Sequence, residues 1–307
     1  MLGRTLLAAL IAAAAAFALY WWLTAPAVLA LPAPTRNPDL ANGQELFNAG
    51  GCSSCHATPN QPDRLRLGGG LALGSPFGTF YVPNISPDPA YGIGRWSEAD
   101  FVNAVMRGVS PAGTHYFPAF PYTSYHLASV DDVRDLFAYL KTLPPVSGTV
   151  GDHALPFPFN IRRNVGIWKL LFMDTAPFVA DAARSPQWNR GAYLVNAFGH
   201  CAECHSPRNA LGGIIAGQRF AGGPNPEGEG WVPNITQQGI GNWSEKDIAD
   251  FLETGDLPEG DSASGAMRAV IKNLAQLTAE DRAAMAAYLK SLPPVQGPTP
   301  PKRKEGG

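Results

Sequence analysis

Four cysteines and two histidines carry the most specific chemical signal in the sequence. They form two pentapeptides, Cys-Ser-Ser-Cys-His at 52–56 and Cys-Ala-Glu-Cys-His at 201–205, which use every cysteine of the 307-residue chain. At the spacing C-x-x-C-H, two thiols can add to the vinyl groups of one haem while the adjacent histidine binds its iron. We therefore predict two covalently bound haem c groups, held by Cys52, Cys55 and His56 and by Cys201, Cys204 and His205.

Two other kinds of site also contain a C-x-x-C pair. Thioredoxin-like redox centres use such a pair directly, and zinc ribbons use it as half of a metal site. Neither requires a histidine immediately after the second cysteine, and here that histidine occurs twice. Covalent haem attachment in bacteria takes place outside the cytoplasm, so the haem interpretation requires an export signal.

The N-terminus contains a candidate for that signal. Residues 6–23 lack any charge and end in Tyr20, Trp21 and Trp22. This length suits a membrane-spanning helix of about 20 residues better than a signal-peptide core of about 7 to 15. With Arg4 on the cytoplasmic side, we predict a single-pass anchor over residues 1–24 in the cell inner membrane, with the haem domains facing the periplasm. A signal peptide cleaved near 25–27 is the alternative.

An internal repeat predicts the domain organisation. The two cysteine motifs are 149 residues apart, and three further pairs of segments match at nearly the same offset: 82–85 with 232–235, 92–98 with 239–245, and 138–146 with 287–295. Such self-similarity indicates tandem copies of one module. We predict a mainly α-helical chain with two tandem class I cytochrome c-like domains, at 39–146 and 186–295. In each, Ser-x-x-Asp (Ser97 and Asp100, Ser244 and Asp247) predicts a capped helix start.

Three segments lie outside the two domains. Residues 25–38 contain four prolines and are predicted to form a stiff tether. Residues 147–185 are too apolar and aromatic for a flexible linker, so we predict an ordered belt that holds the domains at a fixed separation. A linker that merely lies on the surface is the alternative. Residues 296–307 form a polar C-terminal tail.

The charge balance excludes one class of partner. Only 16% of the residues are charged, the net charge is -2, and the sequence pI is about 6.3. Proteins that bind nucleic acid need a basic surplus to neutralise phosphates. We therefore predict no nucleic-acid partner.

Several segments resemble a known protein family. Residues 50–56, 118–122, 157–160 and 199–209, together with the apolar N-terminus, are similar to the membrane-anchored multihaem cytochrome c subunits of periplasmic alcohol, sugar and aldehyde dehydrogenases. Those subunits commonly carry three haem modules, whereas this chain has cysteines for two. The resemblance implies a non-catalytic protein that transfers single electrons from a periplasmic dehydrogenase subunit toward quinone or a terminal oxidase.

The second axial ligand of each iron differs between the domains. Met267 lies between the two late helices of domain 2, where the related family places its methionine ligand. A core-filling methionine is the alternative. In domain 1 the aligned residue is Phe120, and Ala128 stands where relatives with Phe have a later methionine. His126 is our first choice there; the alternatives are His115, Met106, Met173 or no sixth protein ligand.

An iron without a sixth ligand would favour a different function. The protein would then be a dihaem peroxidase or a gas-binding haem protein acting through domain 1. Peroxide cleavage needs polar acid–base groups near the iron, whereas residues 117–125 are aromatic and proline-rich. We therefore favour the electron carrier, and we expect His153 and His200 to be solvated loop residues.

Overall fold

The computed structural model describes residues 2–301 of the chain. In this range the secondary structure is mainly helical, with four short strands. The first half contains α1 (Leu2–Leu23), α2 (Leu40–Ala49), α3 (Cys52–His56), β1 (Ala72–Ser75), β2 (Gly78–Tyr81), α4 (Glu98–Arg107), α5 (Tyr122–Tyr125) and α6 (Val130–Leu140). The second half contains α7 (Val165–Phe172), α8 (Pro186–Asn196), α9 (Ala202–His205), β3 (Gly223–Pro224), β4 (Trp231–Val232), α10 (Gln237–Ile240), α11 (Glu245–Thr254), α12 (Met267–Leu274) and α13 (Ala279–Lys290).

The first helix is exposed over most of its length. Its span Gly3–Leu23 has 21 residues, a mean hydropathy of 2.1 and no buried residue in its most apolar window. Length and composition are therefore those of a helix that can cross a membrane. A signal sequence near the N-terminus has the same properties.

Each domain is built on one close helix crossing. The N-terminal helix α2 packs on the C-terminal helix α6, and α8 packs on α13 in the same way. A glycine permits each approach, because a Cβ on Gly43 would lie 2.2 Å from the carbonyl oxygen of Asp135, and one on Gly191 would lie 1.8 Å from that of Ala284. The repeated helix pair thus confirms the predicted tandem domains.

The predicted helix starts are also confirmed. In α4, the Ser97 side chain accepts a hydrogen bond from the Asp100 amide while the Asp100 side chain accepts one from the Ser97 amide. Ser244 and Asp247 form the same reciprocal pair at the start of α11. These capping boxes satisfy amide groups that would otherwise lack partners in the first turn. Each Gly/Pro-rich loop region contains a short antiparallel hairpin that the sequence did not predict, β1 with β2 and β3 with β4.

The two domains share one hydrophobic core. Buried side chains of domain 1, such as Phe47 and Leu136, belong to the same cluster as Phe198 and Met285 of domain 2. The domains therefore pack directly against each other. This direct contact holds the two domains at a fixed separation, a task that was predicted for the belt.

The segment predicted as a stiff tether lies along the surface of domain 1. The Leu29 amide donates a 2.6 Å hydrogen bond to Asn103 Oδ1, and Arg134 Nη2 donates one of 2.6 Å to the Pro32 carbonyl. Arg36 binds both oxygens of Asp135, at 2.8 and 2.5 Å. Burial alone would raise the pKa of the Asp135 carboxyl, but hydrogen bonds led by Arg36 outweigh it and hold that pKa below its ordinary value. The prolines are thus part of a docked strap.

Candidate functional site

Both cysteine motifs form short helices that begin in the same way. The first motif is α3, and the second comprises Cys201 and the helix α9 that follows it. The residue before each motif has a left-handed backbone, with φ of 58° at Gly51 and 37° at His200. Because one helical turn separates residues three apart, the two thiols of each motif project from the same turn as the histidine that follows. This arrangement brings together the three residues predicted for each haem.

The motif histidines are both oriented by a backbone carbonyl. The Nδ1 atom of His56 lies 2.9 Å from the Pro83 oxygen, and that of His205 lies 2.8 Å from the Pro233 oxygen. A carbonyl can only accept, so Nδ1 carries the proton and Nε2 is left with the lone pair that an iron ligand needs. Burial lowers the pKa of His56 to about 4 and also lowers that of His205, which keeps both rings neutral.

The repeated Val-Pro-Asn-Ile segment explains where these carbonyls come from. Asn84 Nδ2 donates to the Val146 carbonyl at 2.7 Å, and its counterpart Asn234 donates to the Val295 carbonyl at 2.8 Å. The asparagine of each segment therefore fixes the loop. The proline just before that asparagine supplies the carbonyl that accepts the hydrogen bond from the motif histidine. The repeat was visible in the sequence, but its role as histidine support was not predicted.

The four cysteines are half-buried, and the pKa values of their thiols are raised. None of them is in a disulfide. Burial raises the pKa of Cys52 and Cys204 to about 12 and that of Cys55 and Cys201 to about 11. Redox-active C-x-x-C pairs have lowered thiol pKa values instead. Paired thiols beside a neutral imidazole with a free Nε2 fit a covalently attached haem better than a thioredoxin-like centre.

Met267 and Phe120, which the alignment of the two repeats places at equivalent positions, have different surroundings. Met267 is the first residue of α12, follows Gly265 with φ of 56°, and is half-buried. In domain 1 the aligned Phe120 packs among tyrosines. Its ring centroid lies 6.0 Å from that of Tyr116, 6.3 Å from that of Tyr122 and 5.8 Å from that of Tyr125.

The other candidate ligands of the first iron differ in their burial and in their hydrogen-bond partners. His115 Nε2 is hydrogen-bonded to the Thr24 carbonyl at 2.9 Å, at the end of α1. Met106 is buried in the core and Met173 is half-buried beyond α7. His126 is buried, and its Nδ1 has no hydrogen-bond partner among residues 2–301. Burial lowers the pKa of His126, while the nearby carboxylate of Asp174 acts in the opposite direction.

Tyr125 is the residue of α5 that faces the first motif. A Cβ on Gly50 would lie 3.5 Å from both the Tyr125 hydroxyl and Cys52 Sγ. Burial raises the pKa of Tyr125 well above its ordinary value, and the Cys52 and Cys55 thiols act in the same direction. This tyrosine was not predicted as a site residue, because nothing in its spacing distinguishes it from the other aromatic residues of 117–125.

The two motif helices lie in the interface between the domains. Ser53 Oγ donates a 2.8 Å hydrogen bond to Asn273 Oδ1, and Asn273 Nδ2 donates one of 2.6 Å to Ser54 Oγ. In the other direction, Thr123 and Ser124 donate to Glu203 Oε1 at 2.8 and 2.9 Å. Each domain therefore binds the variable residues of the other domain's motif.

These contacts are related by the sequence repeat. Asn273 lies 149 residues after Ser124, and Glu203 lies 149 residues after Ser54, which is the offset between the two motifs. Burial alone would raise the pKa of Glu203, but Arg208 at 2.6 Å and the two hydroxyl donors hold it below its ordinary value. The interface is thus pseudo-symmetric, with a carboxylate in one half and a hydroxyl in the other.

His200 also belongs to this interface, contrary to the expectation of a solvated loop residue. Its Nε2 donates a 3.3 Å hydrogen bond to the Gly50 carbonyl. Its ring meets that of Tyr125 edge-on at 5.7 Å, and Tyr125 lies 6.0 Å from Phe198. His153 is half-buried as well, and its Nδ1 accepts from the Tyr81 amide at 3.1 Å. Both rings were mispredicted because their partners lie more than 70 residues away in the sequence.

Comparison with known proteins agrees with this geometry. The sequence profile described as cytochrome c matches residues 40–144 and 189–293. The chain belongs to the cytochrome c family. Its two cytochrome c domains carry two covalent haem c groups, and the chain is an electron-transfer protein rather than an enzyme, as predicted.

Similar proteins include both dihaem cytochromes and dehydrogenase subunits. A "Diheme cytochrome c-type" protein of Cereibacter sphaeroides is 49% identical over 84% of this chain and 87% of its own length. The "Fructose dehydrogenase cytochrome subunit" of Gluconobacter japonicus is 37% identical over 85% of this chain and 54% of its own. The cytochrome c subunit of "Alcohol dehydrogenase (quinone)" of Gluconacetobacter polyoxogenes is 34% identical over 87% and 60%. The chain thus spans little more than half of these dehydrogenase subunits.

Proposed function

We propose that this dihaem cytochrome accepts single electrons from a periplasmic dehydrogenase and passes them toward quinone or a terminal oxidase. In this proposal α1 is a retained anchor in the inner membrane, and both domains face the periplasm. The names of the similar dehydrogenase subunits support the donor, and the apolar length of α1 supports the location.

Within the proposal, the cysteines and the histidine of each motif have separate roles. Cys52 and Cys55, and likewise Cys201 and Cys204, form the thioether bonds, while His56 and His205 are the proximal ligands. The iron supplies the one-electron redox change, and the protein sets its orientation, exposure and potential. Pro83 and Pro233 hold the histidine rings in the tautomer that can bind iron.

One observation carries the proposal: the two motif helices lie in one interface, where each is bound by residues of the other domain. Asn273 joins domain 2 to Ser53 and Ser54, and Glu203 joins domain 2 to α5 of domain 1. An arrangement that holds two redox groups in one shared interface suits electron exchange between them.

Isolated membranes provide the test of this function. Alcohols, sugars and aldehydes would be added one at a time under anaerobic conditions while haem absorbance is recorded. We expect at least one substrate class to reduce both haems, and a soluble quinone analogue or oxygen to reoxidise them. If no substrate reduces the haems while dithionite does, a dehydrogenase of these classes is not the donor.

The axial ligands give a second, independent prediction. We propose Met267 as the second ligand in domain 2 and His126 in domain 1. A thioether stabilises reduced iron more than an imidazole does, so the site in domain 2 should titrate at the higher potential. Met267→Ala should open only the second site to carbon monoxide and lower its potential, and His126→Ala should open only the first.

Redox titration and carbon monoxide difference spectra of both variants check this assignment, with Met285→Leu in the hydrophobic core as the matched control. If a low-spin first site survives His126→Ala, the ligand role passes to His115, Met106 or Met173. If the wild-type first site is already high-spin and turns over peroxide, the second candidate function applies, a dihaem peroxidase. The observation behind that candidate is Phe120 at the position aligned with Met267.

A further inference from the structure

The belt carries an exposed apolar surface beside the end of α1. Three of its members, Ile167, Leu170 and Leu171, are spaced i, i+3 and i+4 and therefore share one face of α7. Leu170 and Leu171 are 61% and 60% exposed, and Phe157 is 79% exposed. The whole surface, hereafter the belt surface, consists of Phe157, Phe159, Ile167, Leu170, Leu171 and Leu211.

Contacts through Phe77, Gly212 and Trp168 link Phe159, Leu211 and α7 within the belt surface. The Phe159 ring packs edge-on against Phe77 at 5.1 Å, and a Cβ on Gly212, the residue after Leu211, would lie 3.0 Å from the Phe77 ring. Trp168 Nε1 donates a 2.9 Å hydrogen bond to the Leu211 carbonyl. The loop residues and α7 therefore hold each other in place.

The charged side chain of α7 points away from the belt surface. Lys169 is the single charged residue in the helix sequence VGIWKLLF. Its Nζ donates to the carbonyls of Arg107 and Gly108 at 2.5 and 2.9 Å and lies 4.5 Å from the Tyr122 ring centroid. The outward face of α7 is left without a charge, which is unusual for a face in water.

The start of α7 is fastened to the end of α1. Arg163 Nε donates a 2.8 Å hydrogen bond to Thr24 Oγ1, and the guanidinium lies 4.1 Å from the Trp21 ring centroid. Tyr20 Oη donates to Asn164 Oδ1 at 2.9 Å. Gly166 packs so closely that a Cβ there would lie 2.7 Å from Thr24 Cβ.

The contacts with Thr24, Trp21 and Tyr20 place the start of α7 beside the end of α1, at the depth where α1 would leave the membrane. An eight-residue helix is about 12 Å long. The headgroup region on one side of a bilayer is roughly 5 to 8 Å deep, from the difference between the whole bilayer and its hydrocarbon core. Tyr20, Trp21 and Trp22 are the residue types that favour this depth.

We propose that the belt surface is a second membrane contact, inserted into the headgroup region of the bilayer that α1 spans. The inference rests on the anchoring of α1 in the proposed function. A single helix leaves the attached domains free to turn about its axis, whereas a second contact fixes which side of the domains faces the lipid. The belt therefore orients both haem domains relative to the membrane.

Spin labelling of the full-length dihaem protein in phosphatidylethanolamine/phosphatidylglycerol nanodiscs tests this contact. The native cysteines are proposed to be bound to haem, so a single introduced cysteine is the one that reacts with the nitroxide. We expect the ratio of oxygen to nickel-complex accessibility at Leu170→Cys and Leu171→Cys to exceed several-fold that at Lys246→Cys, whose native side chain is 81% exposed in domain 2.

A label in α1 separates failure of this inference from failure of the anchor. If Leu10→Cys reports lipid but Leu170→Cys reports water, the second contact is wrong and the anchor stands. If both report water, both are wrong. If the label at Leu170→Cys is shielded from oxygen and nickel alike, and only when the donor enzyme is bound, the belt surface binds protein and the inference is also overturned.

Discussion

A chain with Cys201→Ala and Cys204→Ala should leave a host that matures c-type cytochromes with one covalently bound haem in place of two. Both thioether positions of the second motif are lost, whereas the first motif and its oriented His56 are unchanged. Cys52→Ala with Cys55→Ala should give the complementary result. Intact-mass spectrometry and haem quantification after acidic acetone extraction measure the outcome.

The variable residues of the same motifs supply the matched control. Ser54→Ala removes the hydroxyl that accepts from Asn273 but keeps both thiols and the histidine. It should retain two haems, with a loss of about 1 kcal/mol in the free energy of unfolding. Two covalent haems on the Cys201 and Cys204 double variant would show that the second motif is not an attachment site.

Gly191→Ala should strongly destabilise domain 2, although it adds only a single methyl group. The added Cβ would lie 1.8 Å from the Ala284 carbonyl oxygen, at the crossing of α8 and α13, so the helices must separate. Overpacking typically costs about 1 to 3 kcal/mol in the free energy of unfolding, and we expect the upper end of that range at such a backbone contact. We expect a lower thermal midpoint for domain 2 in calorimetry and loosened packing around the second haem.

Gly217→Ala is the control for this substitution. Gly217 also belongs to domain 2, but an added Cβ there meets no atom within 4 Å and its backbone is not left-handed. The control should leave the midpoint unchanged. Gly43→Ala should reproduce the effect in domain 1, because its Cβ would approach the Asp135 carbonyl at 2.2 Å. An unchanged midpoint in Gly191→Ala would mean that α8 and α13 can separate at little cost.

Features set by local spacing could be predicted from the sequence. The capping boxes at Ser97 and Ser244 depend on residues three apart, and the tandem domains follow from the repeat. The apolar N-terminal helix was equally visible. In these cases neighbouring residues determine the local structure with little help from distant ones.

Features that depend on distant partners could not be predicted. The strap at 25–38 docks because the Leu29 amide meets Asn103, 74 residues later, and Arg36 meets Asp135, 99 residues later. The interface role of His200 depends on Gly50 in the other domain. A proline-rich segment or a lone histidine has the same sequence pattern whether or not such a partner exists.

The pseudo-symmetric interface also sets an order in time during synthesis. Asn273 follows Ser53 by 220 residues. At roughly 5 to 20 residues per second, it is made on the order of 10 to 40 s later. The pair α2 and α6 is complete long before then, so domain 1 can fold while α3 still lacks its cover from α12. In the nascent chain the first motif is therefore exposed until the last helices of domain 2 have been synthesised.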